Sequence, residues 1–229
     1  MSFELTYEAV ARRIDHSLLG PTLGGPALEE GCRLAARYDV ASVCIKPYAV
    51  AMAARILKGT RTAVGTTIGF PHGGHATAVK VFETEKAISD GATELDMVVN
   101  IGQVLAGEWS AVADDIAGVT NACHATGAIV KVIFENCFLA DEHKVRLCQI
   151  CEELGADYIK TSTGYGTGGA TLDDLRLMRR SAGGRVKLKA AGGVRDLDSM
   201  IEVIALGCDR VGSSRTAEIL DELKARLAR

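Results

Sequence analysis

Two short stretches decide the fold of this sequence: DYIKTSTGYGTGGAT at residues 157–171 and VKLKAAGGVRD at residues 186–196. In each stretch, a run typical of a buried strand ends near a lysine, Lys160 in the first and Lys189 in the second. Small residues and glycine follow each lysine. Lysine is rarely buried, because removing its ammonium group from water is costly. Two lysines in the same setting therefore need a common explanation.

Short β-rich runs alternate with longer helical segments along the chain. Glycines at the ends of several helical segments, Gly91, Gly155 and Gly207, are typical of helix C-termini. The alternation indicates a parallel sheet, and eight repeats favour a single-domain α/β fold, a (β/α)8 TIM barrel over residues 1–229. A doubly wound open sheet is the alternative. The predicted strands are residues 12–15, 41–46, 62–69, 93–99, 128–135, 157–162, 185–190 and 209–213.

The composition argues against several classes of protein. Hydrophobic residues make up 48% and aromatic residues 5%, which fits a core of aliphatic strands and helices. With 26 Lys and Arg against 29 Asp and Glu, the net charge of −3 does not predict nucleic-acid binding. We expect neither a signal peptide nor a membrane span, since no apolar run approaches about 18 residues. An odd number of cysteines, seven, predicts reduced thiols and a cytoplasmic location.

The two lysines are expected to lie side by side inside the barrel. Side chains alternate inward and outward along a strand, and reactive groups of such barrels lie at the C-terminal strand ends. Lys160 and Lys189 are one βα unit apart, on neighbouring strands about 4.8 Å from each other. Like charges this close lower the pKa of one amine. A neutral lysine amine is the nucleophile that forms a Schiff base with a carbonyl group.

Two acidic residues could complete this chemistry. Asp96, in the stretch TELDMVVN, has inward parity and could relay protons through water. Asp15, in RIDHSLL, is predicted to close the first strand and is a second acidic candidate. The alternative interpretation is a set of ion pairs that only plugs the barrel. Two lysines on adjacent strands, each followed by a glycine-containing loop, favour the catalytic interpretation.

Three small-residue segments follow the last three predicted strands: STG at 162–164, AGGVR at 191–195 and GSSR at 212–215. Phosphate sites in (β/α)8 barrels are often formed by the loops after strands 7 and 8, where glycine lets backbone N–H groups approach the anion. Ser213, Ser214 and Arg215 offer further donors. The run GYGTGG also fits the GxGxxG dinucleotide pattern, but the strand that follows ends in KLKAA, without the expected acidic residue.

Taken together, these motifs resemble the 2-deoxyribose-5-phosphate aldolase family of class I aldolases. The motifs that carry the resemblance occur in order over nearly the whole chain: IDHSLL, ASVCIKP, TTIGFPHGG, ELDMVVNIG, KVIFENC, YIKTSTGYGTGGAT, KAAGGVR and RVGSS. The resemblance implies reversible cleavage of 2-deoxy-D-ribose 5-phosphate into acetaldehyde and D-glyceraldehyde 3-phosphate. It also implies that the reaction uses no metal and no organic cofactor.

The resemblance assigns roles to individual residues. It makes Lys160 the Schiff-base lysine, Lys189 the residue that lowers its pKa, and Asp96 the proton-transfer residue. These roles agree with those expected from strand parity and charge. The substrate-binding residues expected from the loops and the resemblance are Asp15, Cys44, Thr163, Gly164, Gly192, Gly193, Ser213 and Ser214.

The sequence departs from the family pattern at three places. Lys46 stands in VCIKP where many members have another polar residue, and Arg215 stands in GSSR where a serine or small residue is usual. The C-terminal sequence LKARLAR lacks the terminal tyrosine of some members. We expect these departures to affect the pocket mouth, the phosphate contacts and any role of the tail in proton transfer.

Other features favour simpler interpretations. His72 and His75 in HGGH have no matching set of metal ligands, and Cys148 and Cys151 lie within a predicted helix. The expected partners are a phosphorylated sugar and aldehydes, with no nucleic acid and no membrane. We also expect a homo-oligomer, with a dimer favoured. The alternative functions are another class I phosphosugar aldolase, a non-catalytic phosphosugar-binding barrel and a nicotinamide-dependent reductase.

Overall fold

The computed structural model describes residues 4–228, which contain a closed barrel of eight parallel strands. Each strand pairs with its neighbours in chain order, and β8 pairs with β1. This closure confirms the TIM-barrel prediction and excludes the open sheet. The strands are β1 (Ile14–Leu18), β2 (Ser42–Ile45), β3 (Ala63–Ile68), β4 (Glu94–Val98), β5 (Ile129–Ile133), β6 (Tyr158–Lys160), β7 (Lys187–Ala191) and β8 (Arg210–Ser213).

Every strand is followed by at least one helix, as a parallel barrel requires. The described residues form the α-helices α1 (Tyr7–Ala11), α2 (Gly25–Arg37), α3 (Val50–Leu57), α4 (Thr77–Ser89), α5 (Ile101–Leu105), α6 (Trp109–His124), α7 (Asp141–Leu154), α8 (Leu172–Ser181), α9 (Leu197–Ala205) and α10 (Thr216–Leu227). Two 3-10 turns, Pro47–Ala49 and Asn136–Phe138, precede α3 and α7. None of the helices in this part of the chain has the length and apolar character needed to cross a membrane.

The strand residues divide between two environments, as alternation predicts. Leu95, Met97, Ile159 and Leu188 have no exposed surface and belong to the apolar layer between strands and helices. Burying each such side chain contributes about 1.5–3 kcal/mol. The alternate residues on the same strands are charged and contact one another across the barrel interior. The barrel therefore has an apolar outer layer and a charged interior.

One predicted boundary is wrong in a way that matters for the site. The first strand begins at Ile14 and extends to Leu18, so Asp15 is its second residue and does not close it. The strand continues because Ser17 and Leu18 pair with Cys44 and Ile45 of β2. Asp15 therefore lies deep in the barrel instead of at its rim. The other predicted strand ends differ from the observed ends by no more than two residues.

The register and the following loops set the geometry of the C-terminal end of the barrel. Lys160 of β6 lies directly opposite Lys189 of β7 in the ladder. The loops after these strands end at helices with capped N-termini. Thr171 accepts a hydrogen bond from the backbone N–H of Asp174 at 3.1 Å, and Asp196 accepts one from Ser199 at 2.8 Å. Such caps fix where each loop ends and so limit its conformations.

Candidate active site

Lys160 and Lys189 converge on a single carboxylate oxygen. The Nζ atom of each lysine donates to Oδ2 of Asp96 at 2.7 Å. The three residues are 3%, 1% and 0% exposed, respectively. They project inward from β6, β7 and β4, as strand parity predicted. The structure thus brings together the three residues that the sequence indicated as catalytic.

A second layer of charged residues lies below them, toward the N-terminal end of the barrel. Nζ of Lys131 lies 3.0 Å from Oδ2 of Asp15, 2.6 Å from Oε2 of Glu94 and 3.2 Å from Oδ1 of Asp96. Arg210 contacts both Asp15 and Glu94, at 2.5 and 2.8 Å. Lys189 links the two layers, because its Nζ is also 2.5 Å from Oδ2 of Asp15. The charged cluster is Asp15, Glu94, Asp96, Lys131, Lys160, Lys189 and Arg210.

The charged cluster contains one more basic group than acidic groups. Lys131 contacts three carboxylates, whereas Lys189 and Arg210 each contact two. Among the carboxylates of residues 4–228, Lys160 contacts Asp96 alone, and it shares that oxygen with Lys189. Full ionisation would leave an uncompensated charge in a buried site, which is costly. Lys160 is therefore the member of the cluster that loses its proton most easily.

The pKa shifts follow this distribution of carboxylates. Burial is the largest influence on Lys160 and lowers the pKa of its amine. The Lys189 ammonium lowers this pKa further, and the two effects together outweigh the raising effect of Asp96. Burial also acts to lower the pKa of Lys189, but Asp15 and Asp96 outweigh it and raise the pKa. The sequence indicated the neighbouring positive charge as the cause of the lowered pKa of Lys160. The structure makes desolvation the larger cause.

Asp96 remains a carboxylate in spite of complete burial. Burial acts to raise the pKa of its carboxyl group, but Lys131, Lys160 and Lys189 together outweigh burial and lower the pKa. The pKa of Asp15 is likewise held well below its usual value, because Lys131, Lys189 and Arg210 overcome the effect of burial. The site therefore combines ionised carboxylates with one lysine that is easily neutralised.

A cavity of about 510 Å³ opens above the two lysines at the C-terminal end of the barrel. Leu19, Thr22 and Leu23, from the loop after β1, form part of one wall. Every predicted substrate-binding residue lines the cavity: Asp15, Cys44, Thr163, Gly164, Gly192, Gly193, Ser213 and Ser214. Lys160 and Lys189 also line it. A small molecule in this cavity can reach the Lys160 amine directly.

The glycine-containing loops after β6 and β7 pack against each other along one side of this cavity. The backbone N–H of Ala170 donates to the carbonyl oxygens of Ala191 and Gly192, both at 3.0 Å. Gly192 has φ +78°, and a Cβ there would lie 2.9 Å from Cα of Gly169. Only glycine satisfies both the backbone angle and the close approach. The two loops thus form one continuous wall of backbone groups.

Two arginines lie on the same wall. Arg195 and Arg215 are exposed and line the cavity. Neither guanidinium group has a hydrogen-bond or ion-pair partner within residues 4–228. Exposed backbone N–H groups and unpaired guanidinium groups on one wall suit an anionic group such as a phosphate. Arg215, a departure from the family pattern, therefore lies in the predicted phosphate region.

Several predicted donors are already engaged within the protein. The hydroxyl group of Ser213 donates to the carbonyl oxygen of Val194 at 3.1 Å and accepts from the backbone N–H of Arg215 at 3.2 Å. The hydroxyl group of Thr163 donates to the carboxylate of Glu135. These side chains shape the loops instead of presenting free hydroxyl groups. Ser214 is exposed, which leaves it the more accessible of the two serines.

Lys46, another departure from the family pattern, contacts the loop after β1 that forms part of the cavity wall. Its Nζ donates to the carbonyl oxygens of Pro21 and Leu23 at 3.1 and 2.8 Å. Lys46 therefore fixes the loop after β1. Cys44 lies deeper, with Sγ 3.9 Å from Oδ2 of Asp96, and burial raises the pKa of its thiol to about 11.

The histidines and helical cysteines lie apart from the catalytic cavity. His72 lines a separate cavity of about 160 Å³, and His75 lines a surface groove beside α4. Cys148 and Cys151 are buried in α7. All seven cysteines are free thiols, as the odd count suggested.

Sequence reasoning missed four residues of the site. Glu94, Lys131 and Arg210 carried a usable signal, because charged residues with inward parity interrupt otherwise apolar strands. Glu94 shares parity with Asp96 and could have been found in that way. Glu135 carried no such signal, since its role depends on a left-handed backbone conformation just after β5.

Comparisons with known proteins agree with this geometry. Residues 14–209 match the model of the DeoC/LacD family of aldolases. The chain is 59% identical over 221 residues to the deoxyribose-phosphate aldolase of Rhodopirellula baltica, covering 96% of this chain and 92% of that one. It is 43% identical to the deoxyribose-phosphate aldolase of Carboxydothermus hydrogenoformans, covering 93% of this chain and 95% of that one.

Solved structures give the same picture. An aldolase named QR15 superposes with a TM-score of 0.91 at 37% identity, covering 96% of this chain and 97% of that one. The tetrameric deoxyribose phosphate aldolase of Aeropyrum pernix superposes with a TM-score of 0.89 at 28% identity, covering 96% of this chain and 93% of that one. Both comparisons extend over nearly the whole chain.

Proposed function

The chain belongs to the DeoC/LacD family of aldolases, and we propose that it cleaves 2-deoxy-D-ribose 5-phosphate reversibly through a Schiff base on Lys160. The products are acetaldehyde and D-glyceraldehyde 3-phosphate, so the activity is that of a carbon–carbon lyase. One observation carries the assignment of the nucleophile. The Lys160 amine opens onto the cavity, and its pKa is lowered within a cluster that otherwise stays charged.

The first step uses the neutral form of Lys160. Its amine attacks the aldehyde carbon of the open-chain sugar, a proton from Lys189 or water is transferred to the departing hydroxyl group, and loss of water gives a protonated imine. The neighbouring Lys189 stays protonated, because Asp15 and Asp96 raise its pKa. The protonated imine carries a positive charge that the neutral amine lacked, and the Asp96 carboxylate, 2.7 Å from Nζ of Lys160, stabilises that charge.

Bond cleavage then moves electrons toward the imine. A base removes the proton from the C3 hydroxyl group, the C2–C3 bond breaks, and the electron pair forms an enamine with the imine carbon. D-Glyceraldehyde 3-phosphate leaves at this point. Protonation of the enamine at C2 and hydrolysis of the resulting imine release acetaldehyde and restore the Lys160 amine.

We assign the proton relay to Asp96 acting with Lys189 and water. Asp96 accepts hydrogen bonds from both lysines on one oxygen, so it connects the reacting nitrogen to a protonated ammonium group. Because the pKa of Asp96 is lowered, the carboxylate holds no proton of its own at neutral pH. The relayed proton therefore comes from Lys189 or from water.

The wall formed by the loops after β6, β7 and β8 is the proposed phosphate site. Gly164, Gly192 and Gly193 bring backbone groups to this wall, and Ser214 and Arg215 supply exposed donors. A phosphate bound there would place the aldehyde end of the sugar toward the lysines at the bottom of the cavity. Lys160 itself supplies the electron sink, so the proposed reaction requires neither a metal nor an organic cofactor.

Borohydride trapping tests this function directly. The enzyme is incubated with 2-deoxy-D-ribose 5-phosphate, reduced with sodium borohydride and digested, and the peptides are mapped by mass spectrometry. We expect an adduct on the peptide containing Lys160, absent from the Lys160→Ala variant. Release of acetaldehyde and D-glyceraldehyde 3-phosphate is measured in parallel with the unreduced enzyme.

The other outcomes separate the alternatives. An adduct on Lys189 would exchange the roles of the two lysines. An adduct without the two expected products would indicate a different phosphorylated sugar. Absence of any adduct would favour a phosphosugar-binding barrel, because binding alone needs cations but no neutral amine. Thermal stabilisation by a nicotinamide cofactor would favour a reductase.

We also propose that the protein forms a homodimer through an apolar surface beside α4. This dimer surface contains Tyr48, Val79 and Phe82, which are 73%, 50% and 68% exposed. Lys86 and Asp90 border the same groove, so the surface carries both signs of charge. A surface with both signs can pair with its own copy across a two-fold axis. The tetrameric assembly of the Aeropyrum pernix relative supports association in this family.

Light scattering during size-exclusion chromatography tests the dimer. Phe82→Lys should convert a dimer to a monomer, whereas Leu105→Lys, at an exposed apolar residue on another surface, should leave the mass unchanged. Equal masses for wild type and Phe82→Lys would contradict the proposed surface.

We further propose a cytoplasmic location, supported by the seven free thiols, and a single domain over residues 1–229, supported by closure of the barrel between its first and last strands.

A further inference from the structure

We propose that Glu135 is a positioning residue for the phosphate-binding wall. Its carboxylate holds the loop after β6, residues 161–171, in the conformation that binds the phosphorylated end of the substrate. This inference rests on the proposed function, because it assigns a residue to the binding of that substrate.

Glu135 lies two residues after the end of β5 and has left-handed backbone angles, φ +59° and ψ +61°. This conformation is unfavourable for a residue that has a side chain, and glycine would relieve it. The neighbours of Glu135 are fixed on both sides. The backbone N–H of Phe134 donates to the carbonyl oxygen of Lys160, and that of Asn136 donates to the carbonyl oxygen of Thr161, both at 3.0 Å.

The left-handed turn directs the Glu135 side chain onto the loop after β6. Oε1 accepts a hydrogen bond from the backbone N–H of Thr163 at 3.2 Å, and Oε2 accepts one from the Thr163 hydroxyl group. The residue is only 2% exposed. Within residues 4–228, no basic side chain contacts the carboxylate. Its hydrogen bonds to Thr163 are thus its main polar contacts.

A buried acidic side chain without a cation is unusual, because burial of a charge is costly. A residue that only filled space at this position could be apolar. Hydrogen bonds to a carboxylate are stronger than those to a neutral acceptor and hold their donors more firmly. The arrangement therefore favours precise placement of Thr163 over simple packing.

The contact with Thr163 extends to the rest of the phosphate-binding wall. The Thr163 hydroxyl oxygen accepts from the backbone N–H of Tyr165 at 2.9 Å, which fixes the turn through Gly164. Gly166 lies so close that a Cβ there would be 3.1 Å from the carboxyl carbon of Glu135. Further along, Ala170 joins this loop to the loop after β7. Glu135 thus supports the loop from beneath, on the side away from the catalytic cavity.

The chemistry at Lys160 depends on a different carboxylate, Asp96. Loss of the Glu135 carboxylate should therefore weaken binding of the phosphate group and leave Schiff-base formation intact. This separation distinguishes a positioning role from a general structural role. A general loss of packing would affect phosphorylated and unphosphorylated substrates alike.

The experiment compares KM and kcat for 2-deoxy-D-ribose 5-phosphate and for 2-deoxy-D-ribose. In Glu135→Ala we expect KM for the phosphorylated sugar to rise by about tenfold or more, the effect of losing hydrogen bonds to a charged group. We expect KM for the unphosphorylated sugar and kcat for both sugars to stay near wild-type values. Glu135→Gln, which keeps one acceptor oxygen, should restore part of the loss.

Two further sets of variants control the comparison. Thr163→Val removes the hydroxyl donor without changing Glu135 and should shift KM in the same direction, whereas Thr163→Ser should restore it. This pair tests the same contact if Glu135→Ala does not fold. Glu152→Ala removes a glutamate at the opposite end of the barrel, where it contacts Arg185, and should change neither KM.

Equal losses for the two sugars, or an unchanged KM for the phosphorylated sugar in both Glu135→Ala and Thr163→Val, would overturn this inference. Borohydride trapping with acetaldehyde keeps the proposed function separate. A Lys160 adduct in wild type and in Glu135→Ala shows that the chemistry is present in both. Absence of the adduct in wild type would overturn the proposed function, and this inference with it.

Discussion

Lys131 and Lys160 are both buried inside the barrel, yet their surroundings shift their pKa values in opposite directions. Burial acts to lower the pKa of Lys131, but Asp15, Asp96 and Glu94 outweigh it and raise the pKa well above its usual value. Burial also lowers the pKa of Lys160, and there the single shared contact with Asp96 does not reverse the shift. The number of carboxylates within reach, and not burial alone, decides which lysine keeps its proton.

A third buried lysine shows that a lowered pKa does not by itself make a nucleophile. Lys80, on the side of α4 that packs against α6, is fully buried, and burial lowers its pKa in spite of the nearby Asp115 of α6. Its Nζ also donates to the carbonyl oxygen of Val98 at 2.9 Å. Lys80 does not line the catalytic cavity, whereas Lys160 does. A nucleophilic lysine in this protein needs both a lowered pKa, which follows from having few carboxylate contacts, and access to the substrate cavity.

The largest expected effect comes from removing the lysine that has both properties. Lys160→Met should lower kcat by a factor on the order of 10⁴ or more, since the covalent step is lost. Lys80→Met should keep kcat near wild type and lower the free energy of unfolding, because Asp115 loses its ammonium partner. Steady-state kinetics and urea unfolding measure both effects. Similar kcat losses in the two variants would break the comparison.

Lys189→Met tests the residue that joins the two layers. Loss of the proposed relay should lower kcat by about 10²–10⁴-fold, the usual range for acid–base catalysis. The pKa of Lys160 should rise, because one contribution that lowers it disappears while burial remains. The acidic limb of the kcat/KM profile should therefore move to higher pH. Lys189→Arg, which keeps the charge, is the control, and a limb that moves to lower pH would contradict the argument.

Lys131→Met tests the lower layer of the charged cluster. Removing one partner from a buried ionic network should destabilise the protein by about 3–5 kcal/mol. The matched control is Lys187→Met, because Lys187 is exposed and its nearby ring is that of Tyr158, 5.5 Å from Nζ to the centroid. Urea unfolding at pH 7 compares the two variants. Equal stability changes would show that Lys131 is not the main cation of this layer.

His16 is a buried titratable group on the outer side of the barrel wall, in contrast to the charged cluster inside the barrel. Its Nδ1 lies 2.8 Å from Oγ1 of Thr216, and burial lowers its pKa to about 4 against a weaker raising effect of Glu218. Between pH 6.5 and 4 the unfolded chain binds a proton that the folded chain does not. The free energy of unfolding should therefore fall by up to about 3 kcal/mol as pH drops through this interval.

Urea unfolding of wild type and His16→Asn at pH 7, 6 and 5 checks this expectation. The variant should lose less stability on acidification, because asparagine does not titrate. The ionised carboxylates of the charged cluster have lowered pKa values, so their contribution is lost at lower pH, from about pH 4 downward. Identical losses in both proteins above pH 5 would exclude His16 as the source.

Several parts of the site could be predicted because they follow from local rules. Inward parity identified Asp96, Lys160 and Lys189, and the spacing of one βα unit made the two lysines neighbours. Glycine composition identified the loops after β6 and β7. The position of Asp15 could not be predicted equally well, because the length of β1 depends on its pairing with β2. The sequence also did not show that the hydroxyl groups of Ser213 and Thr163 donate hydrogen bonds within the protein, since their acceptors lie on other loops.

The sequence by itself determined the order of strands and helices, the closed barrel and the choice of Lys160, Lys189 and Asp96 as the proposed catalytic residues. These features depend on periodicity, on spacing and on motifs that are contiguous along the chain. The tertiary structure decided why the pKa of Lys160 is lowered and that of Lys189 raised, because this depends on how Asp15, Glu94 and Asp96 are shared among four cations from four strands. It also decided the place of Glu135, whose partner Thr163 lies 28 residues away. Electrostatic interactions depend on the distances between charged groups in space, and these distances are defined only in the folded structure.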